Sequence, residues 1–160
     1  MNQEYRLYTF VNFYLSSIQQ GIQSAHVVHT LFVKYPTPES NSILWDWATY
    51  DKTMIVLNGG TFENMLGDSE MIQMLDIEHN GSKLPHAIFV EDEGLNYLMT
   101  SYGVVVPARF YDATFKEDPI YGSCYVYGDG DATQPWTYMY KEDSPEFKFV
   151  KLLKSFGLSR

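Results

Sequence analysis

The stretch SSIQQGIQSAHVVHTLF, residues 16–32, reads as a helix, and the direction its faces point decides how the rest of the chain packs around it. Ser16 or Ser17 supplies an N-cap oxygen. Ile18, Ile22, Ala25, Val28 and Leu31 form an apolar face able to lie on a sheet, while Gly21 and Ser24 allow close approach. A second stripe is less ordinary. Gln19, Gln23, His26 and Thr30 follow one another at steps of four, three and four, which aligns four hydrogen-bonding side chains. Two readings stay open: a solvent-facing surface with His26 holding a buried hydrogen bond, or one wall of a cleft.

Outward from this helix, the segment before it, YRLYTFV (residues 5–11), reads as a strand buried on both faces. After it, YPTPES (35–40) stops the helix with two prolines, and Asn41 or Ser42 caps a short helix in SILWDWATY. KTMIVLNGG (52–60) is a second strand ended by glycines. Thr61 opens a helix to about Asp76, with Met65, Leu66, Ile72 and Leu75 turned inward. HNGSKLP (79–85) reads as a loop, HAIFVEDEG (86–94) as a third strand running into three acids, and YGVVVPARFYD (102–112) as a fourth.

Beyond residue 112, the aromatic runs GSCYVYG and WTYMY alternate with turn-like DPIYG and GDGDATQP, which predicts a β-hairpin. Ser144, Pro145 and Glu146 start a last helix that buries Phe149, Leu153 and Phe156, turns its lysines outward and ends at Gly157. This order of elements predicts an α/β fold: a three-layer sandwich with a mixed, mostly parallel four-stranded sheet and helices on both faces. Residues 1–112 form the α/β domain, and 113–160 extend it with a hairpin and a helix.

The 160 residues carry a net charge of −9 with a pI near 4.7. Of eleven basic residues, five lie after residue 140: Lys141, Lys148, Lys151, Lys154 and Arg160. A broad grip on nucleic acid is therefore disfavoured, since such binding draws on a basic face. One cysteine, Cys124, makes no internal disulfide and no zinc set, which suggests a reducing, cytoplasmic setting and a core position for that thiol. No apolar run approaches the roughly 20 residues of a membrane span, and MNQEYRLYTF has no leader-like layout. His26 and His29 are spaced to share a metal, yet no nearby acid or cysteine completes the set, and GDGDAT (128–133) lacks the spacing of a calcium loop. No metal and no cofactor are expected.

The order of parts from about residue 5 to residue 110 resembles the class 2 peptidyl-tRNA hydrolases, the archaeal and eukaryotic type. Three stretches carry the resemblance: IQSAHVVHTL, similar to that family's A-A-Q-C-A-H-A-A helix motif; LWDWATYDKTMIVL, a tryptophan-containing helix and strand; and VEDEGLNYLMTSYGVVVP, similar to its third-strand Asp-Ala-Gly turn and closing hairpin. The resemblance implies that the first helix borders an active cleft. It places Gln23 and His26 on the motif's glutamine and histidine, Asp92 on the acid of the turn, and Asn96 near the family's threonine. These four are the expected catalytic residues, with Gln19, Thr30 and Tyr97 facing substrate. The implied chemistry is ester hydrolysis, in which a carboxylate activates water while amide or hydroxyl donors polarise the carbonyl.

This chain departs from the pattern in three respects, the first being Asn96 in place of the family's threonine. Ser17 and Gln19 stand where the family places a lysine, and the acid of the turn sits between Glu91 and Glu93, where like charges raise one another's proton affinity. Two principal expectations follow. One is a divergent hydrolase acting on an acyl ester such as peptidyl-tRNA. The other is a non-enzymatic acidic protein that keeps the fold and engages or inhibits a basic or nucleic-acid-handling partner. A small-ligand pocket between the first helix and the third strand is a third expectation. Monomer and homodimer are both compatible with the composition.

Overall fold

Two strands at the centre of the sheet organise the computed structural model, which describes residues 4–91, 98–128 and 138–156. Strand β1 (Tyr5–Asn12) lies antiparallel to β6 (Met99–Pro107), with partners running from Tyr5 and Pro107 to Val11 and Ser101. Every residue of β6 and all of β1 except Arg6 are buried, as two-sided apolar runs require. β2 (Met54–Gly60) pairs parallel to β1, and β5 (His86–Val90) pairs antiparallel to β6. The order is β2-β1-β6-β5, so β1, β2 and β5 run one way and β6 runs against them. This is the mixed α/β sheet expected from the sequence.

Helix α1 (Ser17–Lys34) covers one face of the sheet, starting at a capping box on Ser16. Helix α3 (Phe62–Leu75), capped by Thr61, covers the other, with α5 (Pro145–Lys154) packed beside it. The rings on this second face interlock: Phe10 stacks on Tyr102 at 4.4 Å between centroids and meets Phe156 edge-on. Between α1 and β2 lie the short α2 (Ser42–Asp46), capped by Asn41, and a π-helical turn over Trp47–Asp51. The Asp51 carboxylate accepts from the Tyr5 backbone N–H at 2.8 Å and so anchors the start of β1.

Three segments differ from their sequence reading. The expected loop at 79–85 contains a tight hairpin, β3 (Glu78–His79) against β4 (Ser82–Lys83); Asn80 and Gly81 both take positive φ, as a two-residue primed turn demands. The fourth strand stops at Pro107, the partner of Tyr5 where β1 begins, and the next residues coil into a helical turn, α4 (Ala108–Tyr111). A longer strand has no neighbour there among the described residues. The expected C-terminal hairpin is a three-stranded meander: β7 (Thr114–Asp118), β8 (Gly122–Tyr127) and β9 (Tyr138–Lys141). β7 reads TFKED and is almost wholly exposed, so no apolar pattern marks it. Cys124 lies buried on β8. Among the described residues, no helix is long and apolar enough to cross a membrane.

Candidate functional site at the junction of α1 and β5

Helix α1 is turned relative to the apolar face read from its sequence. Its buried residues are Gln20, Gln23, Ser24, Val27 and Leu31. Ile18 is 78% exposed and Ile22 49%, and they continue through Ala25, His29 and Val33 as an outward stripe. The two sets are two residues out of phase, about 200° around the axis. The cause lies in the sheet below. Gly103 has no side chain, and Val27 fills the space so closely that an added Cβ would meet its Cγ1 at 2.7 Å. Thr9 and Ser101 raise hydroxyls from the same sheet face: Thr9 Oγ1 lies 2.9 Å from Ser24 Oγ, and Ser101 Oγ donates to the Gln23 carbonyl at 3.0 Å. A sheet face bearing two buried hydroxyls needs polar partners, and the helix supplies them.

Gln23 is the centre of this arrangement. Its amide oxygen accepts from Thr100 Oγ1 at 2.7 Å, and its Nε2–H donates to Glu91 Oε2 at 3.0 Å. Thr100 reaches the helix because the β5–β6 register shifts beside it: Phe89 faces Ser101 and Val90 faces Met99, which leaves Thr100 as the extra residue of a bulge. Glu91 lies just past the end of β5. Its backbone N–H donates to the Leu98 carbonyl at 2.9 Å. One turn along α1, the His26 ring lies flat on Phe89, 4.3 Å between centroids with the planes 6° apart.

Of the expected site residues, Gln23 and His26 border the end of β5. Gln19 and Thr30 make their side-chain hydrogen bonds within the helix itself. The Gln19 side chain completes the capping box with Ser16, and Thr30 Oγ1 donates back to the His26 carbonyl at 2.8 Å. Asp92, Asn96 and Tyr97 lie outside the described residues. Sequence reasoning missed Glu91 as the carboxylate that meets Gln23, and missed Thr100, Ser101, Thr9 and Ser24 as its supports. The available signal was the threonine in YRLYTFV and the Thr-Ser pair in YLMTSYGVVV, polar residues set in runs that otherwise read as buried. The junction brings a carboxylate, a primary amide, a hydroxyl and an imidazole to one end of the sheet, a set able to hold water beside a polarised carbonyl.

Two further polar features lie elsewhere. Arg109 is buried and donates from Nε to His79 Nδ1 at 2.8 Å, from one terminal nitrogen to the Tyr140 hydroxyl at 3.0 Å, and from the other to the Glu78 carbonyl at 2.8 Å. Its plane stands 4.1 Å over Phe110 and 4.8 Å over Tyr138. Burial, and then the guanidinium, lower the His79 pKa to about 4, so at neutral pH the ring is an uncharged acceptor. On the face opposite α1, a cleft of about 300 Å³ opens between α3 and β5, lined by Leu66, Gln73, Ile88 and Tyr102. It lies on the other side of the sheet from the pocket expected beside the first helix. The Tyr102 hydroxyl is buried without a hydrogen-bond partner among the described residues, and burial raises its pKa far above the usual tyrosine range. Among the described residues, no group of three or more His, Cys, Asp or Glu side chains is placed to hold a metal ion.

No protein-family model matches this chain, and no curated protein matches it significantly.

Proposed function

We propose that this chain is a divergent class 2 peptidyl-tRNA hydrolase-like protein whose α1–β5 junction hydrolyses an acyl ester such as peptidyl-tRNA. The observation that carries the reading is the 3.0 Å hydrogen bond from Gln23 Nε2 to Glu91 Oε2. It joins the glutamine of the helix motif to a carboxylate at the end of the third strand of the central sheet, adjacent in sequence to Asp92. In this scheme the Glu91 carboxylate takes a proton from a water molecule as the oxygen adds to the ester carbonyl carbon. The resulting oxyanion meets the second Gln23 amide hydrogen. Collapse breaks the bond to the ribose oxygen, and the proton returns from Glu91 to that leaving alkoxide. His26, held flat on Phe89, steadies the ester from one helical turn away.

With Ser17 and Gln19 in place of a lysine, the grip on substrate comes from the ester and acyl group more than from phosphate. The test is incubation with N-acetylated aminoacyl-tRNA, following release of the acylated amino acid. Turnover above buffer supports the reading; none at any enzyme concentration removes it for this substrate class.

A second reading, a binding protein without chemistry, is favoured by one specific observation. Both ends of the Gln23 amide are already held by Thr100 and Glu91, and Phe13, Tyr14, Ile18 and Ile22 are exposed on the segment that leads into α1 and on its outer face. This reading predicts no turnover, together with salt-sensitive binding of a basic peptide that Glu91→Gln weakens.

A further inference from the structure

On the face of the molecule away from α1, helices α3 and α5 do not close against one another along their length. A groove of about 830 Å³ runs between them, lined by Met71, Met74, Leu75 and Leu152. Met74 is 83% exposed, a large apolar side chain left in water. Gly67 opens one end: a Cβ built there meets nothing within 4 Å, so a helix laid in the groove can approach the α3 backbone closely. Lys148 and Lys151 stand on the α5 wall, three residues apart on its solvent side. In a chain carrying 20 acidic side chains, neither lysine has a carboxylate within ion-pairing distance among the described residues. The opposite wall carries Glu70.

We infer that this groove docks an acidic amphipathic helix of another protein, apolar on one face and bearing carboxylates along the edge that meets Lys148 and Lys151. Two helices with a gap between them present ridges that a third helix can enter, and methionine side chains adapt their shape to such a guest. α5 spans ten residues, about 15 Å, which sets the docked length at about three turns. The lysine wall selects the sign of the guest's charge, and Glu70 across the groove restricts the acidic residues to one edge. This inference stands apart from the hydrolase reading, because the α3–α5 groove and the α1–β5 junction share no residue.

The experiment uses the full chain labelled at its methionine methyls and two synthetic helical peptides of about three turns. Both carry leucines at i, i+3, i+4 and i+7; one has glutamates along a flank, and the other has lysines in their place. The glutamate peptide is expected to shift the Met71 and Met74 methyl signals saturably while leaving Met54, on β2, unmoved. Lys148→Glu combined with Lys151→Glu is expected to weaken that peptide by at least about tenfold and to reverse the preference toward the lysine peptide. Gly67→Trp is expected to remove binding by filling the groove while the circular dichroism spectrum stays unchanged. Equal binding of the two peptides, the absence of any shift at Met71 and Met74, or peptide-free dimerisation abolished by Gly67→Trp would each overturn the inference; the last would assign the groove to a second copy of this chain.

Discussion

Gln23 and Arg109 are buried side chains that each join several polar groups, and they fail differently when changed. Gln23→Leu leaves the Thr100 donor and the Glu91 carboxylate without their amide partner inside a packed junction. The expected cost is about 1–3 kcal/mol of unfolding free energy, measured as a shift of the urea midpoint at constant slope. Arg109 instead bears on pH dependence through His79, whose pKa is lowered first by burial and then by the guanidinium. The folded state holds His79 at about 4 against 6.5 for the free side chain, so between those values the unfolded chain binds more protons. The contribution is therefore whole above pH 6.5, falls as pH drops through the window, and is lost in full below about pH 4, amounting to about 3 kcal/mol. Urea unfolding at steps from pH 7 to pH 4 checks this. The slope should be shallower in His79→Gln, which keeps an acceptor for Arg109 but cannot titrate; identical slopes would place the pH dependence elsewhere.

At the scale of elements, the placement of α1 against its sheet has the sharpest consequences. Gly103→Ala puts a methyl 2.7 Å from Val27 Cγ1 and 3.1 Å from the Tyr8 carbonyl, so either the helix or the strand must move. It is expected to destabilise by about 1–3 kcal/mol. Gly67→Ala, inside α3 with open space around it, is expected to stabilise by about 0.5–1 kcal/mol through helix propensity and reduced freedom of the unfolded chain. Thermal melts of the two variants should move in opposite directions. The caps were legible in the sequence to within one residue because they rest on local chemistry: of the pairs Ser16 or Ser17 and Asn41 or Ser42 the first of each caps, as do Thr61 and Ser144, where a short hydroxyl or amide side chain precedes a periodic run. The rotation of α1 was not legible. Ile18, Ile22 and Ala25 form the more apolar stripe in its N-terminal half, and it is the gap at Gly103 and the hydroxyls of Thr9 and Ser101, in distant strands, that make the Gln23, Ser24 and Val27 side the better inward face. The helical turn of Ala108–Tyr111 was hidden for a similar reason, since its aromatic and branched run is ended as a strand by the extent of its partner.

For the molecule as a whole, the mixed sheet and its two helical layers follow from an order of elements that the chain states openly, whereas the junction at its end does not. Gln23 and His26 stood out with Gln19 and Thr30 by their helical spacing, and the resemblance proposed them as site residues. Glu91 was hidden among three consecutive acids, and the fold brings its carboxylate to the helix amide. The net charge of −9 and the absence of Lys or Arg on α1 before Lys34 are the sequence's grounds for expecting no general nucleic-acid grip. The central claim is that the Glu91 carboxylate, oriented by Gln23, performs ester hydrolysis. Its most direct test is the ratio of kcat/KM for N-acetylated aminoacyl-tRNA between the unaltered protein and Glu91→Gln, whose amide oxygen still accepts from Gln23 and so preserves the packing. The account predicts a loss of at least about 100-fold with unfolding free energy unchanged within about 1 kcal/mol; equal rates in the two proteins would contradict it.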